Sequence, residues 1–267
     1  MANTFPRWTN LLPLKIAVCL AFVGLGVSMA IPYYATPKYT RVGYEPTQPV
    51  PFSHAIHAGQ LGMDCRFCHT FGEVSSHSNV PVNQVCHNCH GNGKGGIRAN
   101  SPKLELVQKA AETGKPIEWV KVHKAPDYVY FNHSVHVNRG VSCANCHGKV
   151  NEMEVVRHDQ PQSMGWCLEC HRNPEEKLRP LDQIVNLNYK PSDLNREQFY
   201  KGLLGKGVKG EEIVGVMGVK GNPTGIEEIV KLAESKFGKD VTQLEVGTQL
   251  KKHWQITPPD ACTACHR

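Results

Sequence analysis

The sequence predicts a mainly helical and irregular fold with little β-sheet and one membrane-spanning helix at the N-terminus. Three observations predict it. A Cys-x-x-Cys-His string recurs five times along 267 residues. Aromatic residues make up only 7% of the chain, while 24 glycines and 18 prolines favour short helices and long loops over a large side-chain core. One apolar run near the N-terminus has the length of a bilayer core.

The five strings are Cys65-Arg66-Phe67-Cys68-His69, Cys86-His87-Asn88-Cys89-His90, Cys143-Ala144-Asn145-Cys146-His147, Cys167-Leu168-Glu169-Cys170-His171 and Cys262-Thr263-Ala264-Cys265-His266. They take ten of the eleven cysteines and leave no disulfide framework. Two thiols three positions apart reach the two vinyl groups of one porphyrin, and the next residue places an imidazole under the iron. A single copy would also suit a zinc half-site or a redox dithiol. Five copies, each with its histidine, point to covalent c-type haem. The expected fold is a multihaem cytochrome c wrapped around five haems, with His69, His90, His147, His171 and His266 as proximal ligands. The formal charge of +6 would suit nucleic acid or an anionic surface. Each haem adds about two propionate charges that this count ignores, so no nucleic-acid partner is expected.

Residues 11–34 read as a transmembrane anchor behind a cytoplasmic N-terminus, residues 1–10. Between Leu11 and Ile31 only Pro13, Lys15, Cys19, Ser28 and glycines interrupt the apolar run. Pro13 falls in the first turn, where a missing N–H costs little. Lys15 can snorkel, and Trp8 and Tyr33-Tyr34 suit the two interfacial belts. The competing reading is a cleaved signal peptide ending at Ser28-Met29-Ala30. We expect an uncleaved anchor. Arg7 and Lys15 favour a cytoplasmic N-terminus, against Lys38 and Arg41 on the other flank. Haem attachment decides the side, because bacteria form these thioethers outside the cytoplasmic membrane. The haem domain is therefore expected on the periplasmic side of a single-pass protein in membrane lipid. Small residues one turn apart, Ala17 with Ala21 and Gly24 with Ser28, form a face suited to helix packing in lipid. Cys19 reads as a small apolar residue rather than a lipidation site.

Phe52-Ser53-His54-Ala55-Ile56-His57 precedes the first motif, and Phe131-Asn132-His133-Ser134-Val135-His136 precedes the third. Each is followed by two motifs. Residues 35–181 thus read as two copies of a dihaem unit. Histidines three apart share a helix face but point to different places. One can close back on the haem that follows, and the other can reach a neighbouring haem. His54, His57, His133 and His136 are the expected sixth ligands, and His123 is the natural fifth. Met153, His158 and His253 are further candidates, since a Met sulfur can also ligate. His77 and His87 read as polar loop residues. Met164 stands only three residues before Cys167, too close to swing over the haem attached there.

Residues 182–250 form a haem-free insert, and residues 251–267 carry the fifth motif. Thr224-Gly225-Ile226-Glu227 has the form of a capping box. Ile226, Ile229, Val230, Ala233 and Phe237 follow at helical spacing, with Gly238 to end the helix. Gly202 to Gly207 is expected to be a flexible loop, because it lacks the full phosphate-loop pattern.

Two stretches are more specific than the haem motif: His123-Lys124-Ala125-Pro126-Asp127-Tyr128-Val129-Tyr130-Phe131-Asn132-His133-Ser134-Val135-His136-Val137 and Met164-Gly165-Trp166-Cys167-Leu168-Glu169-Cys170-His171-Arg172. Through them the chain resembles the pentahaem subunit of bacterial alternative complex III, over residues 11–180 and 250–267. The insert is longer than that family's usual connection. The resemblance implies an electron-transfer subunit of a quinol-oxidising membrane complex. Its implied partners are integral membrane and iron–sulfur subunits, and its acceptor is a soluble or bound cytochrome c or a terminal oxidase. One alternative is a stand-alone multihaem quinol dehydrogenase feeding a periplasmic reductase. That family often carries Met two residues after the first proximal histidine, where this chain has Phe71. A multihaem oxyanion reductase is the third reading. It needs an open iron, which nine spare histidines make unnecessary.

Overall fold

The structure is a computed structural model and describes residues 6–35, 40–93 and 96–266. Residues 1–5 of the expected cytoplasmic segment and Lys38 lie outside the described residues. The chain divides into two units, Met1–Gly43 and Tyr44–Arg267.

In the first unit a 3₁₀ turn, Arg7–Leu11, leads into α1, Leu12–Ala35. Leu14, Leu20, Phe22, Val23, Met29 and Ile31 are all exposed around α1. A helix apolar on every side is suited to lipid rather than to water. Pro13 falls in its first turn, as expected. The Ser28 hydroxyl donates to the Gly24 carbonyl at 2.7 Å, which satisfies that polar group within the helix. α1 is thus one N-terminal apolar helix long enough to cross a bilayer.

The second unit begins with short helices joined by loops. They are α2 (Asn83–His90), α3 (Glu105–Thr113), α4 (His133–Asn138) and α5 (Met164–Arg172). Shorter turns hold the first, third and fifth motifs at Cys65–Cys68, Cys143–His147 and Cys262–Cys265. Local chemistry starts three of the motif helices. Asp64 and Ser142 stand just before the first cysteine, and Ser163 just before Met164; each side chain accepts a backbone N–H in the first turn. Among the described residues there is no sheet, only single bridges pairing Val129 with His266 and Val141 with Leu178. The side-chain core of this part is small: Val50, Val107, Ala110 and Ile117, packed against Cys86.

The insert is more ordered than its sequence suggests. It folds as α6 (Arg196–Gly205), α7 (Gly210–Val216), α8 (Ile226–Phe237) and α9 (Gln243–His253). Tyr200, Leu203, Ile213, Val214, Met217, Ile229 and Ala233 form one shared core. The expected flexible loop at Gly202 to Gly207 is corrected. Gly202 to Gly205 form the last turn of α6, because Leu203 between them is buried in that core. Only Gly207, at φ +86°, makes a left-handed turn. The expected helix at Ile226 to Phe237 is present. Its capping box is altered: the Glu228 carboxylate, not Glu227, accepts the Thr224 N–H at 3.0 Å. α9 also runs through the expected boundary at residues 250/251.

Beneath the helices lies a buried ion pair. The Arg196 Nε and Nη2 donate to the two Glu245 carboxylate oxygens at 2.8 and 2.9 Å. The Tyr200 hydroxyl donates to Glu245 Oε1 at 2.7 Å. Burial, with Glu245 alongside, pushes the Tyr200 phenol well above its ordinary value, so it remains a donor.

α9 joins the insert to the motif-bearing part of the chain by lying on the turn Pro174–Glu176, just after the fourth motif. Gln243 Nε2 donates to the Glu175 and Leu178 carbonyls at 3.1 and 2.7 Å, and Lys251 pairs with Glu175 at 2.7 Å. A Cβ added at Gly247 would collide with the backbone of Glu175. Gly247→Ala is therefore expected to push α9 off this turn and cost about 1–3 kcal/mol of stability. Thermal denaturation of the holoprotein checks this; an unchanged midpoint would show that the contact is loose.

Candidate haem sites

The repeated Phe-x-His-x-x-His segments adopt the same local arrangement. Phe52 stacks on His57 at 4.4 Å and 24°, and Phe131 stacks on His136 at 4.8 Å and 26°. Phe52 meets His54 edge-on at 87°, and Phe131 meets His133 edge-on at 83°. The backbones differ. The second copy is α-helical, while Ala55–Gln60 is a wider π turn.

Each histidine of the two pairs faces a proximal histidine. The ring centres are 6.5 Å apart for His54 and His69, and 6.1 Å for His57 and His90. They are 6.4 Å apart for His133 and His147, and 6.1 Å for His136 and His171. A metal held between two imidazoles needs ring centres about 6 Å apart, from two bonds of about 2 Å and about 1 Å from each nitrogen to its ring centre. The four pairs have the spacing that an iron requires, so these residues fit the group.

Tautomers agree with the spacing. Nδ1 of His57, His69, His90, His133, His136 and His171 lies 2.6–3.0 Å from a backbone carbonyl. The acceptors belong to Ser53, Asn79, Ile97, Gly72, Asn132 and Pro259 in that order. A carbonyl only accepts, so Nδ1 carries the proton and Nε2 keeps its lone pair for a metal. Burial, with neighbouring imidazoles alongside, lowers His54 to about 4 and His147 to about 3. Both rings stay neutral, the form that binds metal.

These carbonyl acceptors are functional groups that sequence reasoning missed. Any residue has a carbonyl, so no side-chain signal marks them. Only Asn79 offered a side-chain clue. Its amide group bridges the Phe71 N–H and the Cys68 carbonyl, and so folds the loop back over His69.

The other candidates lie elsewhere. His123 stands 4.4 Å from His147 and stacks on the buried His158 at 5.1 Å. The ring beside His266 is that of Tyr128, at 5.7 Å. His253 lies on α9 with Nε2 2.9 Å from the Gln249 amide oxygen. Met153 is buried where its carbonyl accepts the Ala55 N–H, next to the first histidine pair.

The two repeats also hold one another. Ala55 N–H donates to the Met153 carbonyl at 3.0 Å, and Ser134 N–H donates to the Ser75 carbonyl at 3.1 Å. The attachment cysteines form a row. Cys86 and Cys68 are electrostatic neighbours, Cys65 is within hydrogen-bonding reach of Cys143, Cys146 neighbours Cys170, and Cys167 neighbours Cys265. The motifs therefore succeed one another in space in the order second, first, third, fourth, fifth.

The five motifs and the four facing histidine pairs carry the donors that covalently attached c-type haem requires, on a fold that is helical and without sheet among the described residues. Residues 129–191 match the family described as cytochrome c7 and related cytochrome c. The chain is also similar to a protein of Nitratidesulfovibrio vulgaris described as menaquinone reductase, multiheme cytochrome c subunit, with 32% identity over 126 residues. That match covers 47% of this chain and 57% of the relative, so the chain spans little more than half of the relative it matches.

Proposed function

We propose that the chain is the membrane-anchored pentahaem subunit of a quinone-linked respiratory complex of the alternative complex III type. The observation that supports this best is the set of four facing imidazole pairs at 6.1–6.5 Å. Haem supplies reversible one-electron chemistry when bound. The chain's own residues would attach it through the ten motif cysteines, and four histidine pairs would hold the irons: His54 with His69, His57 with His90, His133 with His147 and His136 with His171. With two imidazoles per iron such centres would carry electrons rather than bind a substrate.

On this reading α1 is an uncleaved anchor and residues 35–267 lie on the periplasmic side. Integral membrane and iron–sulfur subunits exchange electrons with the row, and a cytochrome c or terminal oxidase accepts them. A second reading is favoured by the described relative: electrons run the other way and reduce menaquinone.

Both readings make this chain a subunit. The isolated, haem-loaded chain in detergent is expected to be reduced by quinol very slowly, and the assembled complex quickly. Stopped-flow spectroscopy of the haem bands measures this. Rapid, inhibitor-sensitive reduction of the isolated chain would instead establish a self-sufficient quinol dehydrogenase.

A further inference from the structure

We infer that the Met164 thioether is the sixth ligand of the iron held by His266, which makes the terminal haem the single His/Met centre in the row. The inference rests on the five-haem reading above.

Four proximal histidines face a histidine at iron-bridging distance, but His266 faces the ring of Tyr128 at 5.7 Å. That separation is too short for a tyrosine ligand. A phenol oxygen stands further from its ring centre than an imidazole nitrogen does, so Tyr and His bridged by iron need centres well beyond about 6 Å apart. Tyr128 instead packs beside His266. Backbone contacts hold it there: Val129 bridges to His266, and the Tyr130 N–H donates to the Cys265 carbonyl at 2.8 Å.

The remaining histidines are engaged in other places. His77 Nδ1 lies 2.9 Å from the Ser76 hydroxyl, and His87 lies within the second motif on α2. His123 and His158 stack on each other next to His147, and His253 is bonded to Gln249. Four of the other methionines are also placed. Met29 is in α1, the Met63 N–H donates to the His57 carbonyl, Met153 is buried beside Ala55, and Met217 is in the insert core. Met1 lies outside the described residues.

Met164 differs from all of these. It opens α5 and is 64% exposed, a large apolar side chain with no core to join. It lies one helical turn before Cys167, on the same face as Cys167 and His171. Its spacing to Cys167 is too short to reach over the haem attached there, whose iron faces His136 in any case. The fifth motif, however, is brought alongside this helix. The sulfurs of Cys167 and Cys265 are electrostatic neighbours, and His171 Nδ1 grips the Pro259 carbonyl at 2.6 Å, three residues before Cys262. An exposed thioether on the helix whose His171 grips the segment leading into the fifth motif would suit the second axial position at His266, which faces no imidazole among the described residues. A sulfur ligand raises a haem's potential relative to two imidazoles. The terminal haem would then be the most oxidising in the row and the point where electrons collect.

The test uses the full-length holoprotein in detergent, oxidised. Mass spectrometry counts attached haems, and near-infrared magnetic circular dichroism distinguishes sulfur from imidazole ligation. The expected result is five haems, all low-spin, with one sulfur-to-iron charge-transfer band. Met164→Ala should lose that band and turn one haem high-spin, with five haems still attached. Met164→His should restore the low-spin state without the band and lower that haem's potential. Five attached haems with no sulfur band, or a band that survives in Met164→Ala, would overturn the ligand assignment alone. A chain without haem on Cys262 and Cys265 would sink the five-haem reading, and the ligand assignment with it.

Discussion

Glu245→Ala is expected to destabilise the insert by about 3–5 kcal/mol, the cost of leaving one member of a buried ion pair alone. Glu245 is fully buried and accepts three hydrogen bonds, two from Arg196 and one from the Tyr200 hydroxyl. Without it the Arg196 guanidinium keeps only the Lys239 and Asp240 carbonyls as close partners, with Glu234 at 3.9 Å. The Tyr200 hydroxyl is left without an acceptor inside the core. Glu245→Gln retains an acceptor and should lose less. Loss of the insert should also be felt at the fourth haem, because α9 grips the turn behind it. Differential scanning calorimetry with limited proteolysis across residues 196–253 measures the effect. A shift below about 1 kcal/mol would mean that the pair relaxes into water and does not brace the insert.

His133→Ala is expected to turn about one in five irons high-spin while every haem stays attached, because thioethers and not axial ligands hold the porphyrin. On the proposed five-haem reading its haem is the third, the middle member of the row. The break therefore separates the second and first haems on one side from the fourth and fifth on the other. Electron paramagnetic resonance of the oxidised protein reads the spin state, and flash photolysis with a tethered donor reads conduction between the ends. An unchanged spectrum would remove His133 from the ligand set. The variant also loses the contact of His133 Nδ1 with the Gly72 carbonyl, at 3.0 Å. Gly72 is not an iron ligand, so substitutions there separate loop packing from ligation.

The attachment motifs were legible in the sequence because a porphyrin would demand two cysteines and a histidine within five contiguous residues. The paired histidines were legible for a related reason: Phe52 to His57 and Phe131 to His136 repeat as strings. The apolar helix needed only composition and length. What could not be read was assembled over long separations. Carbonyls that orient the imidazoles come from residues as ordinary as Ile97 and Pro259. Arg196 and Glu245 meet across 49 residues, and two glycines around Leu203 suggested a loop where burial of that leucine selects a helix. His123 shows the limit from the other side. Sequence marks it as a candidate ligand without saying for which motif; the structure sets it beside His147 and His158, and sets Tyr128 beside His266.

The two hydrogen bonds between the repeats are one bond made twice. Ala55, one residue after His54, donates to Met153, six residues after His147. Ser134, one residue after His133, donates to Ser75, six residues after His69. Cys65 and Cys143, within hydrogen-bonding reach of each other, are likewise equivalent positions. A patch that meets its own equivalent is an isologous contact, the kind that builds two-fold dimers. The part that carries the first four motifs is thus a dimer folded from one chain, joined head to head through the leading motifs of its halves. Such an arrangement has little intrinsic polarity: read from either end, the motifs follow in equivalent order. Direction must come from what breaks the symmetry. At one end of the row the chain adds the insert and the fifth motif, whose His266 lies beside Tyr128 rather than a histidine.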